Sequence, residues 1–446
     1  MSKHPLFFKL LTAVALLTLL WMALLLVRGV VHERTSYRDT AIHDVSRLNA
    51  GQQTVTGPFI YWPYTESYPV QTAGEANTTV TTHRSEQRAL LRFAHTLSVD
   101  ATLNTEVLKR GVFPVTVYQT DQRLSGRFAA QEPLSLTPKQ PGGTLAMGRP
   151  WLVFQVSDLR GLSGTPVLKL GGRELTVFSS TLPGLGAVLA AELPDNTPAD
   201  SWSRELAFEL RFGLGGTGSI GWVPLGDTTD MALRANWPHP RFGGDFLPRE
   251  RRISAEGFEA RWATTSLASQ AQQQLTAQLS SDERERGFVM ERMQVDLIEP
   301  QDIYQQTDRA TKYGLLFVLL TFVAFFLFEM VKRWRIHPMQ YLMVGAALTV
   351  FFLLLLSLSE RLGFAWAYGV ATGACLGLLT VYLSAVLGGW RRGLGMSGLL
   401  VALYGLLYGI LMSEDNALLM GSLLLFGALA AAMLVTRKLD WHALGN

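Results

Sequence analysis

Cys375 is the lone cysteine among 446 residues, and it lies inside an apolar run. A disulfide framework and a cysteine-ligated metal site are therefore excluded from any soluble part of the chain. Net charge is equally scarce: 39 Lys and Arg against 36 Asp and Glu leave +3. That balance gives no basis for a nucleic-acid partner. Catalytic signatures are missing too. There is no phosphate-cradling loop ending in Gly-Lys-Ser/Thr, no H-E-x-x-H and no G-x-S-x-G elbow. His32, His43, His83, His95 and His239 include no pair at helical zinc spacing. "GLGGTG" (213–218) has dinucleotide-like spacing, but it continues into the strand-like "SIGWVPL" and reads as a glycine-rich turn. No cofactor, no metal and no enzymatic activity are expected.

Apolar length is what the chain has in abundance. About 20 apolar residues cross the hydrocarbon core of a bilayer. Six spans are predicted, at 6–27, 313–331, 339–358, 363–387, 395–412 and 417–436, so the lipid bilayer is the first expected partner. Lys3 and Lys9, "VKRWRIHP" (331–338), "WRRG" (390–393) and "TRKLD" (436–440) fall on alternate loops. The opposite loops, "SER" (359–361) and "SEDN" (413–416), are balanced or acidic. Cytoplasmic loops carry the excess of Lys and Arg, so both termini are expected in the cytoplasm. Residues 31–312 then lie outside. The bias fits a bacterial inner membrane with a periplasmic domain. The first span lacks a small-x-small cleavage signal and is read as a retained anchor.

The expected organisation is an anchor (1–30), a β-rich domain (31–312) and a five-helix membrane bundle (313–446). A helix over 31–48 should continue from the first span. Strands are predicted at 88–103, 113–120, 151–158, 205–214, 219–225, 231–237, 258–265 and 288–297. In "ELAFELRF" the alternation puts Leu206, Phe208, Leu210 and Phe212 on one face. Such a face needs an apolar layer opposite it, which points to a sandwich-like domain. The Pro/Gly-rich 136–150 marks a candidate sub-boundary, and the Gln-rich 268–287 reads as partly helical.

Three groups are candidates for function. "NWPHPRFGGDFLP" (236–248) holds Trp237, His239 and Asp245 on a segment that is neither helix nor central strand. It either braces a fixed loop or forms a contact rim on a β-scaffold. A His–Asp pair without a nucleophile is a poor case for catalysis. Asp308, Arg309 and Lys312 share a helix face before the second span, as an interfacial anchor or a coupling element. Gly369, Gly373 and Gly377, with Gly405 and Gly409, have the four-residue spacing of close helix packing, within the protomer or between copies. Glu329, Glu360, Arg361 and Lys9 lie near span ends and none lies mid-span, which disfavours a proton relay or ion-coupled carrier.

"ANWPHPRFGGDFLP" (235–248), "YQQTDRATKYGLLFVLLTFVAFFLFE" (304–329) and "HPMQYLMVGAALTVFFLLLLSLSE" (337–360) closely resemble the CreD family of inner-membrane proteins. So do the shorter "VSDLRG" (156–161) and "HPLFFKL" (4–10). The resemblance implies an N-terminal anchor, a large periplasmic domain and a C-terminal membrane bundle. It also implies a part in cell-envelope integrity, colicin tolerance and an envelope-stress regulon linked to β-lactam resistance. No catalytic or binding residue comes with it. Some relatives carry a longer cytoplasmic tail than the segment after 436. The expected function is that of a non-enzymatic envelope protein whose outer domain contacts an unidentified envelope protein or lipid. The alternative is a transporter or lipid-handling protein that uses the bundle as a path. The oligomeric state stays open.

Overall fold

The computed structural model describes residues 5–73, 79–130, 137–193, 205–280, 290–299, 303–332, 337–413 and 417–437. The chain forms two compact units, Met1–Thr40 with Pro300–Asn446, and Ala41–Glu299. Helix α1 (Pro5–Asn49) is one continuous helix of 45 residues, so the predicted helix at 31–48 is its continuation. From Ala41 onward it belongs to the β unit, where Ile42 and Val45 pack on Leu108, Val115 and Val117.

Two sheets build the β unit. Sheet A contains β1 (Gln53–Ala73), β2 (Thr79–Arg92), β5 (Thr144–Met147), β6 (Trp151–Val156), β9 (Phe178–Leu182), β10 (Gly186–Glu192), β12 (Ser219–Trp222), β14 (Pro240–Gly244) and β17 (Met293–Leu297). Its order is β14-β17-β12-β1-β6-β10-β9, with β2 and β5 also paired to β1. Sheet B contains β3 (Thr96–Arg110), β4 (Phe113–Phe128), β7 (Leu162–Leu170), β8 (Arg173–Leu175), β11 (Leu206–Thr217), β13 (Thr228–Ala235), β15 (Glu250–Ser254) and β16 (Gly257–Thr265). The order there is β15-β16-β13-β3-β4-β11-β7-β8.

Alternation explains how the sheets face each other. Leu97, Val99, Ala101 and Leu103 of β3 are buried while the residues between them are exposed. Phe208, Leu210, Phe212 and Leu214 of β11 are likewise buried, with less buried residues between them, and meet Leu152, Phe154 and Val156 of sheet A in one core. Phe154 and Phe212 stack across it with centroids 5.6 Å apart. This is a sandwich, with Leu206 half-buried at its margin. The other face of sheet A is covered by α2 (Ala271–Ser280), whose Ala271 and Leu275 pack on Phe59, Val153, Val188 and Val223. The Gln-rich stretch is thus helical over 271–280, and residues 281–289 lie outside the described residues. Its glutamines tie down loops: Gln272 donates to Leu225 O and Gln278 to Gly184 O.

Several strands differ from expectation. The run 88–103 is two strands, because the chain leaves sheet A at Arg92 and enters sheet B at Thr96. An uninterrupted apolar pattern hides such a switch, since both sheets share the core. No strand is predicted over β1, which carries Pro58, Pro63 and Pro69, residues that sheets hold mainly at edges and bulges. The sandwich accommodates Pro58 at a bulge, where the register with β6 shifts between Thr56 and Phe59. Gly57 there has φ 108°, and a Cβ would sit 2.9 Å from Val153 O. "GLGGTG" is mostly strand and not the glycine-rich turn expected: Gly213–Thr217 end β11 and pair with β4 in sheet B, and the turn is confined to Gly218 at φ 77°.

The helical unit adds α3 (Ile303–Lys332), α4 (Pro338–Leu362), α5 (Phe364–Val386), α6 (Trp390–Met412) and α7 (Ala417–Thr436). Five described helices are long and apolar enough to cross a membrane, at Leu11–Asn49, Ile303–Leu327, Pro338–Leu362, Phe364–Val386 and Trp390–Met412. The sixth predicted span coincides with α7, whose described apolar stretch Leu419–Leu434 is shorter. Pro338 takes the first turn of α4, and His337 and Gln340 close a reciprocal cap in front of it. Phe317, Phe351, Phe352, Tyr368 and Tyr404 form the aromatic centre of the bundle. Tyr368 donates to Tyr404 O at 2.7 Å, and Tyr404 donates to Cys375 Sγ at 3.1 Å.

Candidate functional site

The segment 236–248 contains an edge strand, β14, where proline and adjacent glycines cost little. Trp237 is half-buried against the sandwich core, and its indole N–H donates to His239 O and Ile298 O, each at 3.1 Å. Asn236 accepts from both Thr105 N and Oγ1, which fastens the start of the loop to β3. Phe242 makes edge contacts with Phe258 and Trp262. Gly244 has φ 76°, and a Cβ there would lie 2.2 Å from Arg292 O. Asp245 and Arg292 exchange backbone N–H bonds to Arg292 O and Asp245 Oδ2, both 2.9 Å.

Trp237 and Asp245 therefore spend their polar atoms on holding the loop. His239 is exposed and meets the Trp237 ring edge-on. Among the described residues no hydrogen bond joins His239 to Asp245. The strand β15 follows closely and holds Arg251 and Arg252 exposed.

In the helical unit, Asp308 bridges Arg28 at 3.3 Å and Lys312 at 2.7 Å. Arg34 reaches Glu360 at 3.7 Å, Tyr304 donates to the same carboxylate at 3.2 Å, and Arg38 lies over the Tyr304 ring. Arg309, on the same helix, is also engaged. These contacts join α1, α3 and α4. Asp308→Ala is expected to cost about 1 kcal/mol, since it removes two partly exposed ion pairs. Thermal melting of the purified chain at low and high salt checks this: a loss that ignores salt would count against an ionic role.

The glycines behave otherwise than an intramolecular seam requires. Gly369, Gly373 and Gly377 are exposed, and a Cβ on any of them would meet nothing within 4 Å. Gly405 is equally open, and Gly409 alone has a neighbour, Met420 Cε at 3.3 Å. Among the described residues, α5 thus turns its glycine face away from the other helices.

Two arrangements lie outside the three candidate groups. Glu66 is fully buried on β1, in the tyrosine-rich "YWPYTESYP", a setting that suggests packing rather than charge. Its Oε1 accepts from Gln140 N at 2.8 Å, and Oε2 faces Arg88 Nε at 3.5 Å. Directly opposite, Glu86 binds Arg88 at 2.8 Å and Tyr68 at 2.6 Å. The Tyr68 hydroxyl, then Arg88, hold the Glu86 carboxyl below its ordinary range.

The second arrangement is the junction at "VSDLRG". Asp158 caps a short 3-10 turn, Leu159–Gly161, by accepting from Arg160 N at 3.1 Å and Nε at 2.9 Å. Buried Gln53 clamps the same turn, donating to Asp158 O and Gly215 O. The Arg160 guanidinium lowers the Asp158 carboxyl below its usual range, outweighing the partial burial that raises it. A depressed folded-state pKa adds stability above the ordinary aspartate value of about 3.9, and that stability is lost as pH falls through the folded value. Asp158→Asn should therefore lower the melting temperature at pH 7 and match the parent chain in acid. A difference that persists unchanged at low pH would refute the charge-based origin.

Among the described residues no cluster of three His, Cys, Asp or Glu is placed to hold a metal. Crystal structures of an M1 zinc metallopeptidase from Deinococcus radiodurans align over 38% of this chain and 38% of theirs. Identity is 10% and 11% with TM-scores of 0.20 and 0.17, too low for any shared feature to be carried over. The inner membrane protein CreD of Escherichia coli K12 is 37% identical over 99% of this chain and 95% of its own length. The family model described as inner membrane protein CreD matches residues 5–442. With a β unit, several membrane-length helices and this near-complete match, the chain belongs to the CreD family of inner membrane proteins.

Proposed function

We propose that this chain is a non-enzymatic inner-membrane protein that supports cell-envelope integrity and the response to envelope stress. Six spans, with both termini cytoplasmic, set residues 31–312 in the periplasm, where the β unit contacts another envelope component. One observation carries this reading: the most distinctive loop is rigidly braced, yet it leaves His239, Leu247 and the following strand exposed. Rigid, exposed segments on a β-scaffold suit recognition more than chemistry. A deletion strain compared with its parent across envelope stresses tests the role, and reporter fusions at the loops test the topology. A cytoplasmic signal from residue 150 would sink the topology, and unchanged stress tolerance would sink the role.

A second reading, lipid handling, draws on an apolar cleft of about 570 Å³ between α3, α6 and α7. Leu320, Leu327, Leu403, Leu424, Gly427 and Ala431 are among the residues lining it. Lipid retained on the purified chain, and lost when Gly427→Leu fills the cleft, would support this reading over simple contact.

A further inference from the structure

The edge of sheet B next to the braced loop differs in charge from the rest of the β unit. Elsewhere its arginines are largely neutralised: Arg123 and Arg211 share Glu209, Arg234 meets Asp100, and Arg241 meets Asp296. Arg249, Arg251 and Arg252 have no carboxylate within ion-pair distance among the described residues, although Glu250 between them reaches Arg261 at 4.0 Å. Three arginines without an ion pair among the described residues thus fall within four positions, giving them a net charge of +2 with Glu250.

Arg251 and Arg252 sit on β15 and Arg249 immediately precedes it; β15 is a terminal strand whose five residues are all exposed and which, among the described residues, pairs with β16 alone. A terminal strand leaves a row of backbone N–H and C=O groups without ladder partners, which is a template for one more strand. Two apolar side chains flank the charges, Leu247 at 69% and Ile253 at 50% exposure. Strand alternation puts Arg251 and Ile253 on one face and Arg252 on the other, opposite Glu259.

We propose that β15 is a docking edge for an extended, acidic polypeptide segment of a partner, which adds a strand to sheet B. The backbone supplies the ladder, Arg249, Arg251 and Arg252 supply forked donors for carboxylates, and Ile253 and Leu247 supply apolar seats. Charge on a sheet edge commonly serves to repel unwanted strands. With three arginines against the one carboxylate of Glu250, the edge repels basic strands and offers an apolar one little in return for desolvating the arginines, but it attracts an acidic one. Complementary charge also keeps the wrong partners away. A membrane surface needs cations but no strand edge, so the open ladder favours a peptide over anionic lipid. The proposal rests on the reading of the β unit as a contact module.

The test uses the full chain in detergent and a fluorescent twelve-residue peptide of alternating Glu and Val, followed by anisotropy. Arg251→Glu with Arg252→Glu should weaken binding by about tenfold per arginine. A peptide N-methylated at alternate residues should fail to bind, since it cannot complete the ladder. Hydrogen exchange should slow in residues 250–254 when the unmodified peptide binds. Absence of binding, or equal binding of the methylated peptide, overturns the proposal. So does recruitment to phosphatidylglycerol vesicles through these arginines when the peptide does not bind. A protein crosslinked through His239 in both the parent and the charge-reversed chain also overturns it, while the contact reading of the β unit stands.

Discussion

Arg88→Ala should destabilise the β unit by about 3 kcal/mol, because removing one member of a buried ion pair leaves an uncompensated charge. Glu66 has no exposed side-chain surface, and among the described residues its Oε2 has no hydrogen-bond partner, so Arg88 is its electrostatic support. Glu86 stands directly across the strand pair, so without Arg88 two carboxylates would face each other. One of them could not reach water. A loss of this size corresponds to about 10 °C in melting temperature for a domain of this length.

Glu66→Gln in the Arg88→Ala background should restore most of the loss. The amide keeps an oxygen for the Gln140 N–H and removes the buried charge. Melting of the four chains, followed by tryptophan fluorescence, measures the coupling. If Arg88→Ala melts with the parent chain, or the second change fails to compensate, the ion pair is not what holds this hairpin.

Trp237→Ala should cost about 2–3 kcal/mol, below the range for a fully buried tryptophan because Trp237 is half-exposed. The loss combines core contact with two N–H bonds, to His239 O and Ile298 O. Trp237→Phe keeps most of the packing and should lose about 1 kcal/mol. His239→Ala should be close to neutral for stability, since that side chain is exposed. The two positions therefore separate bracing from contact. Should Trp237→Ala melt normally while His239→Ala unfolds the chain, the assignment of roles is reversed. If His239→Ala melts normally and loses an envelope phenotype, the loop is a contact surface as well as a brace.

Residue patterns carried some of these conclusions and missed others. The clean alternation of "ELAFELRF" identified β11 and its inward face, because a strand buried on one side must alternate. The same rule merged β2 with β3, since alternation says nothing about which sheet a strand joins. β1 was illegible because proline is read as a strand breaker, whereas a bulge tolerates it. The glycines of α5 have the spacing of a seam, yet spacing cannot reveal whether a helix is there to meet it. Glu66 was invisible for a similar reason: burial of a carboxylate depends on what folds over it, here the backbone of Gln140 from 74 residues away.

By itself the sequence determined the apolar helices, the β-rich character of the region between them and the absence of familiar catalytic motifs. These follow from local composition and periodicity, which act over a turn or a strand. Only the tertiary structure decided that two sheets and α2 form stacked layers, that Trp237 and Asp245 brace an edge and that Arg88 supports a buried carboxylate. It also decided that, among the described residues, no carboxylate comes within ion-pair distance of Arg249, Arg251 or Arg252. Each of these depends on contacts between residues distant in the chain, where distance and solvent exclusion set the energy of a charge or a hydrogen bond.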